Sequence, residues 1–254
     1  MGAVVTRAQG MNAHYACSSW SSVVRDIYTN GTYLRHYTTW HEEDSPWKSE
    51  QIVKLMKRNH LKPSTICEVG CGAGEILRQL SNRLDKDIQF VGYEISPQAF
   101  DICKRKSMKN LIFFQKDLLE DRETVYDIVM AIDVVEHVED CWGFLRRLRS
   151  RGRYKIFHIP LDLSVQSVLR ASRLTKASQT AGHIHYFTQE TALATLEDTG
   201  YTIRDYFYTG TSLELPQREW KARLMKIPRR LFFSVNPDLT VRILGGFSLM
   251  VLAE

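Results

Sequence analysis

The segment Glu68-Val69-Gly70-Cys71-Gly72-Ala73-Gly74 constrains the fold more than any other part of the chain. A short apolar run, residues 65–69, leads into it, and apolar residues at helical spacing, Ile76, Leu77, Leu80 and Leu84, follow it. A strand that turns into a helix within a few residues needs glycines, which reach positive φ and let backbone amides approach a ligand. The helix N-terminus beyond the turn adds free N–H groups and positive dipole character. A glycine turn alone is weak evidence. It gains weight from Glu94, which ends a second apolar run 24 residues after Gly70. A carboxylate at that place can accept hydrogen bonds from both hydroxyls of a ribose. The spacing Gly-x-Gly-x-Gly departs from the Gly-x-Gly-x-x-Gly of NAD-binding folds and argues against a nicotinamide dehydrogenase.

Beyond the turn, strands and helices alternate. Residues 88–95, 111–114, 127–132, 154–159 and 201–208 read as strands, with a last strand over 245–252. Helices are expected from Ser45, as N-cap before Pro46, to about His60, and over 97–106, 140–150 and 188–199, the last stopped by Gly200. This rhythm predicts an α/β fold with a mainly parallel sheet covered on both faces. Residues 1–44 lack a clean period and read as a lid or tail before a domain of residues 45–254. Two insertions interrupt the rhythm. One spans about 162–182, with a helical apolar pattern at Val165, Val168, Leu169 and Leu174; the other spans 209–242.

Composition sets limits. The chain has 254 residues, is 44% hydrophobic and carries a formal net charge of +5, enough apolar material for one large domain and too little charge to demand a nucleic-acid partner. The stretch from Arg218 to Arg230 interleaves cations with Trp220, Leu224, Met225 and Ile227. It reads first as a solvated helix face and second as a weak membrane-surface contact. Five cysteines at irregular spacing (17, 67, 71, 103 and 141) suggest free thiols in a reducing cytoplasm. With no secretory signal and no apolar run of membrane-spanning length, a soluble cytoplasmic protein is expected.

Two further motifs fall at strand ends on the sheet edge where open α/β sheets bind ligands. Phe114-Gln115-Lys116-Asp117-Leu118 offers a carboxylate and an apolar side chain to a base, and Asp133-Val134-Val135-Glu136-His137-Val138 closes a buried run. Taken together in this order, the four motifs resemble the class I methyltransferases that use S-adenosylmethionine (SAM). Glu68–Gly74 resembles the first family motif closely. Asp133–Val138 resembles the fourth motif of the small-molecule branch that includes ubiquinone-type O-methyltransferases. The segment Gly182-His183-Ile184-His185-Tyr186-Phe187-Thr188, with Asp198-Thr199-Gly200-Tyr201 after it, resembles the later part of that branch. The resemblance covers about residues 45–208 and implies a Rossmann-like sheet of seven strands, mostly parallel, with the last antiparallel.

It also implies site roles. Glu68 and the backbone at Gly70, Cys71, Gly72 and Gly74 would hold the methionine part of SAM. Glu94 would hold the ribose, standing where Asp is commoner in the family. Ile95 and Leu118 would flank adenine, with Asp117 at its edge; Asp133, Val134 and His137 would line the sulfonium end. An oxygen acceptor must lose a proton, so a base is wanted. His137, His158, His183 and His185 are the candidates, with Asp162 as helper. His183 and His185 could join His158 or Asp162 on a metal, but loop anchoring is the favoured reading and no metal is assigned. Trp40, Trp47, Tyr186 and Phe187 read as packing before they read as ligand covers.

The function this predicts is methyl transfer from SAM to a small-molecule acceptor, such as a hydroxyl of a metabolite, sugar or lipid-linked intermediate. A nucleic-acid or protein N-methyltransferase and a non-catalytic SAM-binding module are the alternatives. The Pro-Pro and Pro-Cys pairs of base methylases are absent, which disfavours nucleic acid.

Overall fold

The computed structural model describes residues 28, 30–37, 39, 40, 42–120, 124–170, 172–214 and 226–254. The strands are β1 (Thr65–Val69), β2 (Gln89–Tyr93), β3 (Leu111–Phe114), β4 (Tyr126–Ile132), β5 (Gly152–Leu161), β6 (Ile203–Thr209) and β7 (Phe247–Ala253). They form one sheet in the order β3-β2-β1-β4-β5-β7-β6. β1 pairs in parallel with both β2 and β4, while β7 runs antiparallel to β5 and β6. The chain direction reverses in strand order between β1 and β4, and the crevice there is the expected ligand position.

Side chains alternate across the sheet and fill both faces. After a short first helix, α1 (Thr32–His36), Ile66, Phe90, Ile128, Met130 and Ile156 point to one side, under α2 (Ser45–Arg58) and α3 (Glu75–Arg83). Cys67, Val129, Ala131 and Phe157 point to the other, under α5 (Cys141–Leu148) and α8 (Gln189–Asp198). Burial on both faces explains why these strands read as continuous apolar runs.

The helix starts follow local chemistry. Ser96 accepts from Ala99 N–H to cap α4 (Pro97–Cys103), and Thr188 and Thr191 form a reciprocal capping box at α8. At α2 the expected cap moves by one residue: after a 3-10 turn over 42–44, Asp44 is the N-cap, its side chain accepting no cap bond, and Ser45 lies within the helix.

The first insertion forms the short helices α6 (Val165–Leu169) and α7 (Ser172–Lys176), but its apolar pattern does not face the sheet. Val165, Val168 and Leu169 are exposed, since Ser164 and Ser167 occupy the inner side of that turn. In the second, α9 (Thr211–Glu214), α10 (Lys226–Val235) and α11 (Pro237–Leu244) precede β7. The expectations for 1–27 and for 215–225, including Cys17 and most of the basic stretch, lie outside the described residues. Among the described residues no helix is long and apolar enough to cross a membrane.

Candidate active site

A cavity of about 310 Å³ opens at the carboxyl ends of β1, β4 and β5. Its floor is the glycine turn. Gly70 and Gly72 sit at φ 66° and 53°, and a Cβ at either would be blocked: at Gly70 by Val134 Cγ2 at 2.9 Å, at Gly72 by Trp40 Cδ1 at 2.7 Å. Both conformation and space therefore demand glycine.

Glu94 joins the floor to β2. One carboxylate oxygen accepts from Gly72 N–H at 2.8 Å and the other from Ser96 N–H at 2.7 Å. Burial raises its pKa, and these two amide bonds work against that rise. Glu68 is buried at the end of β1, and its Oε2 has no hydrogen-bond partner among the described residues. Burial holds its carboxyl well above the usual range, with Lys48 opposing.

The end of β4 supplies the next layer. Asp133 adopts a left-handed φ of 54°, with its amide bonded to His158 O. Its Oδ2 lies 2.7 Å from Lys48 Nζ of α2, and its Oδ1 lies 2.5 Å from His158 Nδ1 of β5. Burial alone would raise Asp133; His158 and Lys48 outweigh it and hold the carboxyl well below its ordinary value. His158 spends its other nitrogen on Thr209 Oγ1, at 2.9 Å, and is 1% exposed.

The third layer is a clip between two loops. Ile184 and His185 donate their amides to Glu136 O, and His185 Nε2 donates to Val138 O at 2.8 Å. His137 Nδ1 meets Gly182 O at 3.2 Å. This clip brings His183 beside His137, with ring centroids 4.9 Å apart. His183 Nδ1 is 2.6 Å from Asp162 Oδ2. Burial, then the neighbouring His183, depresses His137 to a pKa of about 4, so its ring is neutral near pH 7. Glu136, Oε1 of which is 3.7 Å from His137 Nε2, is fully buried, and neither oxygen has a hydrogen-bond partner among the described residues.

Sequence-expected residues thus divide. Glu68, Gly70, Cys71, Gly72, Asp133, His137, His158 and His183 line the cavity. Val134 abuts Gly70, and Gly74 starts α3. Ile95 is 60% exposed, Leu118 is wholly buried, and Asp117 bonds to Leu119 N–H; all three lie outside the cavity wall. His185 also lies outside it, held by backbone carbonyls. Trp40 forms part of the wall, whereas Trp47 bonds to Glu214, Tyr186 to main-chain carbonyls, and Phe187 is core. Glu136 of the fourth motif also lines the cavity, as do Lys48, Tyr33 and Tyr37, which sequence did not single out. Glu136 carried a signal, its place beside His137; a lysine inside an amphipathic helix carries none.

From the N-terminal part of the chain, Tyr33, Tyr37 and Trp40 reach the cavity. Ser96 Oγ donates to Tyr28 O at 2.7 Å, and Tyr28, Tyr33, Tyr37 and Trp40 form a chain of aromatic contacts.

A seven-stranded sheet with its last strand antiparallel, and a glycine turn facing buried carboxylates at the switch point, define a class I SAM-dependent methyltransferase. Within that class, the family model described as a methyltransferase domain matches residues 40–206, and the chain belongs to this family. Three similar structures illustrate the fold. Magnesium protoporphyrin IX methyltransferase (ChlM) from Synechocystis PCC 6803, with bound SAH, has 16% identity and a TM-score of 0.61, covering 91% of this chain and 98% of that one. The plantazolicin methyltransferase BpumL, in complex with a monoazolic desmethylPZN analog and SAH, has 15% identity and a TM-score of 0.59, covering 92% and 94%. The putative methyltransferase complexed with the Haloferax volcanii Trm112 activator has 14% identity and a TM-score of 0.60, covering 91% and 96%. At these identities the likeness speaks for the fold.

Proposed function

We propose that this protein transfers the methyl group of SAM to a hydroxyl oxygen of a small-molecule acceptor. The observation that carries the reading is one continuous cavity. It has a glycine-and-carboxylate floor at Glu68–Gly72 and a polar wall at Glu136, His137 and His183. Buried carboxylates with unfilled acceptor sites suit the cationic SAM.

In this reading Glu68 and the amides of Gly70 to Gly74 hold the methionine part, and Glu94 uses its remaining lone pairs for the ribose. Ile95, Asp117 and Leu118 serve the adenine end, and Asp133 and Val134 the end nearest the acceptor. Bound there, SAM would supply an activated methyl, and its transfer to the acceptor oxygen would form a C–O bond and return the C–S electron pair to sulfur. The protein contributes alignment, worth up to about 7–11 kcal/mol in ideal cases. The hydroxyl proton leaves toward the His137–His183 wall, where Asp162 orients His183. His158 positions Asp133, and His185 anchors the loop that carries His183. Residues 1–44, of which Tyr33, Tyr37 and Trp40 line the cavity, act as the lid, and the protein works in the cytoplasm, where its buried free cysteines stay reduced.

Magnesium protoporphyrin IX and plantazolicin appear in the names of similar proteins. Both acceptor types belong in the panel to be assayed. Titration calorimetry with SAM and with NAD tests the cofactor half: SAM binding that Glu94→Ala weakens at least about tenfold, with no NAD binding, is expected. No SAM binding by folded protein overturns the proposal. Methyl transfer to hydroxylated acceptors, greatly reduced by His183→Ala with SAM affinity kept, tests the acceptor half. Transfer to amines but never to hydroxyls overturns the oxygen assignment.

A further inference from the structure

Arg229 of α10 carries a charge without a counter-charge. It is 6% exposed, and its Nε has no hydrogen-bond partner among the described residues. Its Nη2 reaches only neutral acceptors, Gln166 Oε1 at 3.4 Å and Leu244 O at 3.3 Å, both beyond the usual range for such a bond. Gln166 Oε1 also accepts from Arg173 Nη1 at 3.0 Å, so two guanidinium groups converge on one amide oxygen. Residues 163–181 and 226–237 hold no Asp or Glu, yet they contribute Arg170, Arg173, Lys176, Lys226, Arg229 and Arg230. The acids that bracket these segments are bonded elsewhere, Asp162 to His183 and Asp238 to Tyr208. Burial disfavours the cation at Arg229, and Arg173 and Arg170 press the same way. A guanidinium keeps its proton at any ordinary pH, so the mismatch is not relieved by titration. Burying such a charge without an anion is unfavourable.

We propose that Arg229, with Arg170 and Arg173, forms a binding site for a phosphate group. The oxygens of the anion take the place of Gln166 Oε1 between the two guanidiniums and accept from Arg229 Nε. The Gln166 amide then turns to present its NH₂. The guanidinium fork matches phosphate geometry, and a tetrahedral anion offers oxygens to several forks at once, where a carboxylate offers two. The site lies at the sheet edge that carries the cavity. Leu244 immediately precedes the Gly245–Gly246 entry to β7, Gln166 follows the end of β5, and Gly245 approaches Ser164 so closely that a Cβ would stand 2.5 Å from its Oγ. None of the three arginines lines the cavity itself. The helices that carry them expose Leu169, Ile227 and Leu231, so a lipid headgroup as well as a free ion fits this chemistry.

The test uses the full chain without SAM, so its outcome does not depend on the methyl-transfer reading. Inorganic phosphate is titrated by calorimetry in chloride buffer of constant ionic strength. One site per chain is expected, weakened at least about tenfold in Arg229→Met and at least about threefold in Arg173→Ala. Arg105→Ala, which removes an exposed cation before β3, leaves binding unchanged. Phosphate should also raise the melting temperature of the wild type and not that of Arg229→Met. A second arm measures sedimentation with phosphatidylcholine vesicles, with and without phosphatidylglycerol. Binding of inorganic phosphate that the site variants weaken assigns the site to a free ion or monoester. Phosphatidylglycerol-dependent sedimentation lost in Arg229→Met, without binding of inorganic phosphate, assigns it to a headgroup. Circular dichroism verifies folding; should Arg229→Met not fold, Arg173→Ala and Arg170→Ala decide. Neither kind of binding by folded wild type, or binding that Arg105→Ala weakens as much as the site variants do, overturns the inference.

Discussion

Lys48 Nζ stands 2.7 Å from Asp133 Oδ2, joining the helix α2 to the end of β4 across the cavity. His158 holds the other oxygen of the same carboxylate, so Asp133 is fixed from two elements at once. Its left-handed backbone, φ 54°, is a strained state for a non-glycine residue that these contacts maintain.

The Lys48 pair predicts a stability effect. Lys48→Met leaves a largely buried carboxylate with one partner. Removing one member of a buried pair costs about 3–5 kcal/mol, and the lower end applies because the Asp133 side chain is 26% exposed. Chemical denaturation at pH 7 should show that loss. A loss below roughly 1 kcal/mol would mean that water already serves Asp133.

Gly72→Ala tests the floor. A Cβ there meets the Trp40 ring, and the φ of 53° adds strain of roughly 1–2 kcal/mol. Weaker SAM binding is expected, together with a shift in tryptophan emission as Trp40 moves. Unchanged affinity and emission would show that Trp40 does not bear on the floor.

Glu75, first residue of α3, predicts a pH dependence. Burial opposes its ionisation, but hydrogen bonds from Arg78, Gln79 and Lys106 hold its pKa down at about 2, against an ordinary value of 4.5. A depressed carboxylate stabilises the fold above its unfolded pKa, and that contribution fades as pH falls from 4.5 to 2. At most about 3 kcal/mol is involved. In Glu75→Gln the melting temperature should depend less on pH across that window; an equal slope would assign the acid sensitivity to other groups.

Thr188→Ala serves as a contrast away from the cavity. It removes the capping box of α8 and should cost about 1 kcal/mol of stability while leaving SAM affinity as it was. A large loss of SAM affinity would mean that α8 positions the His183 loop more rigidly than its contacts suggest.

Much of this protein was legible in its residues because the relevant signals are local. Apolar runs of 65–69 and 127–132 and glycines at 70 and 72 each act within one turn or strand. The strand-ending Glu94 follows from the same reasoning, since a strand end projects its side chain to one sheet edge. What a side chain touches across the fold is different. The four histidines were equivalent in sequence, yet packing turned His158 onto Thr209, His185 onto Val138 and His183 onto Asp162. Lys48 looked like one more cation of an amphipathic helix until α2 laid it against Asp133. The Glu136–His137–His183 convergence needs a clip between segments 46 residues apart in sequence. Periodicity encodes which face a residue takes; the partner it finds there depends on which distant backbone the sheet brings opposite, and no local pattern carries that information.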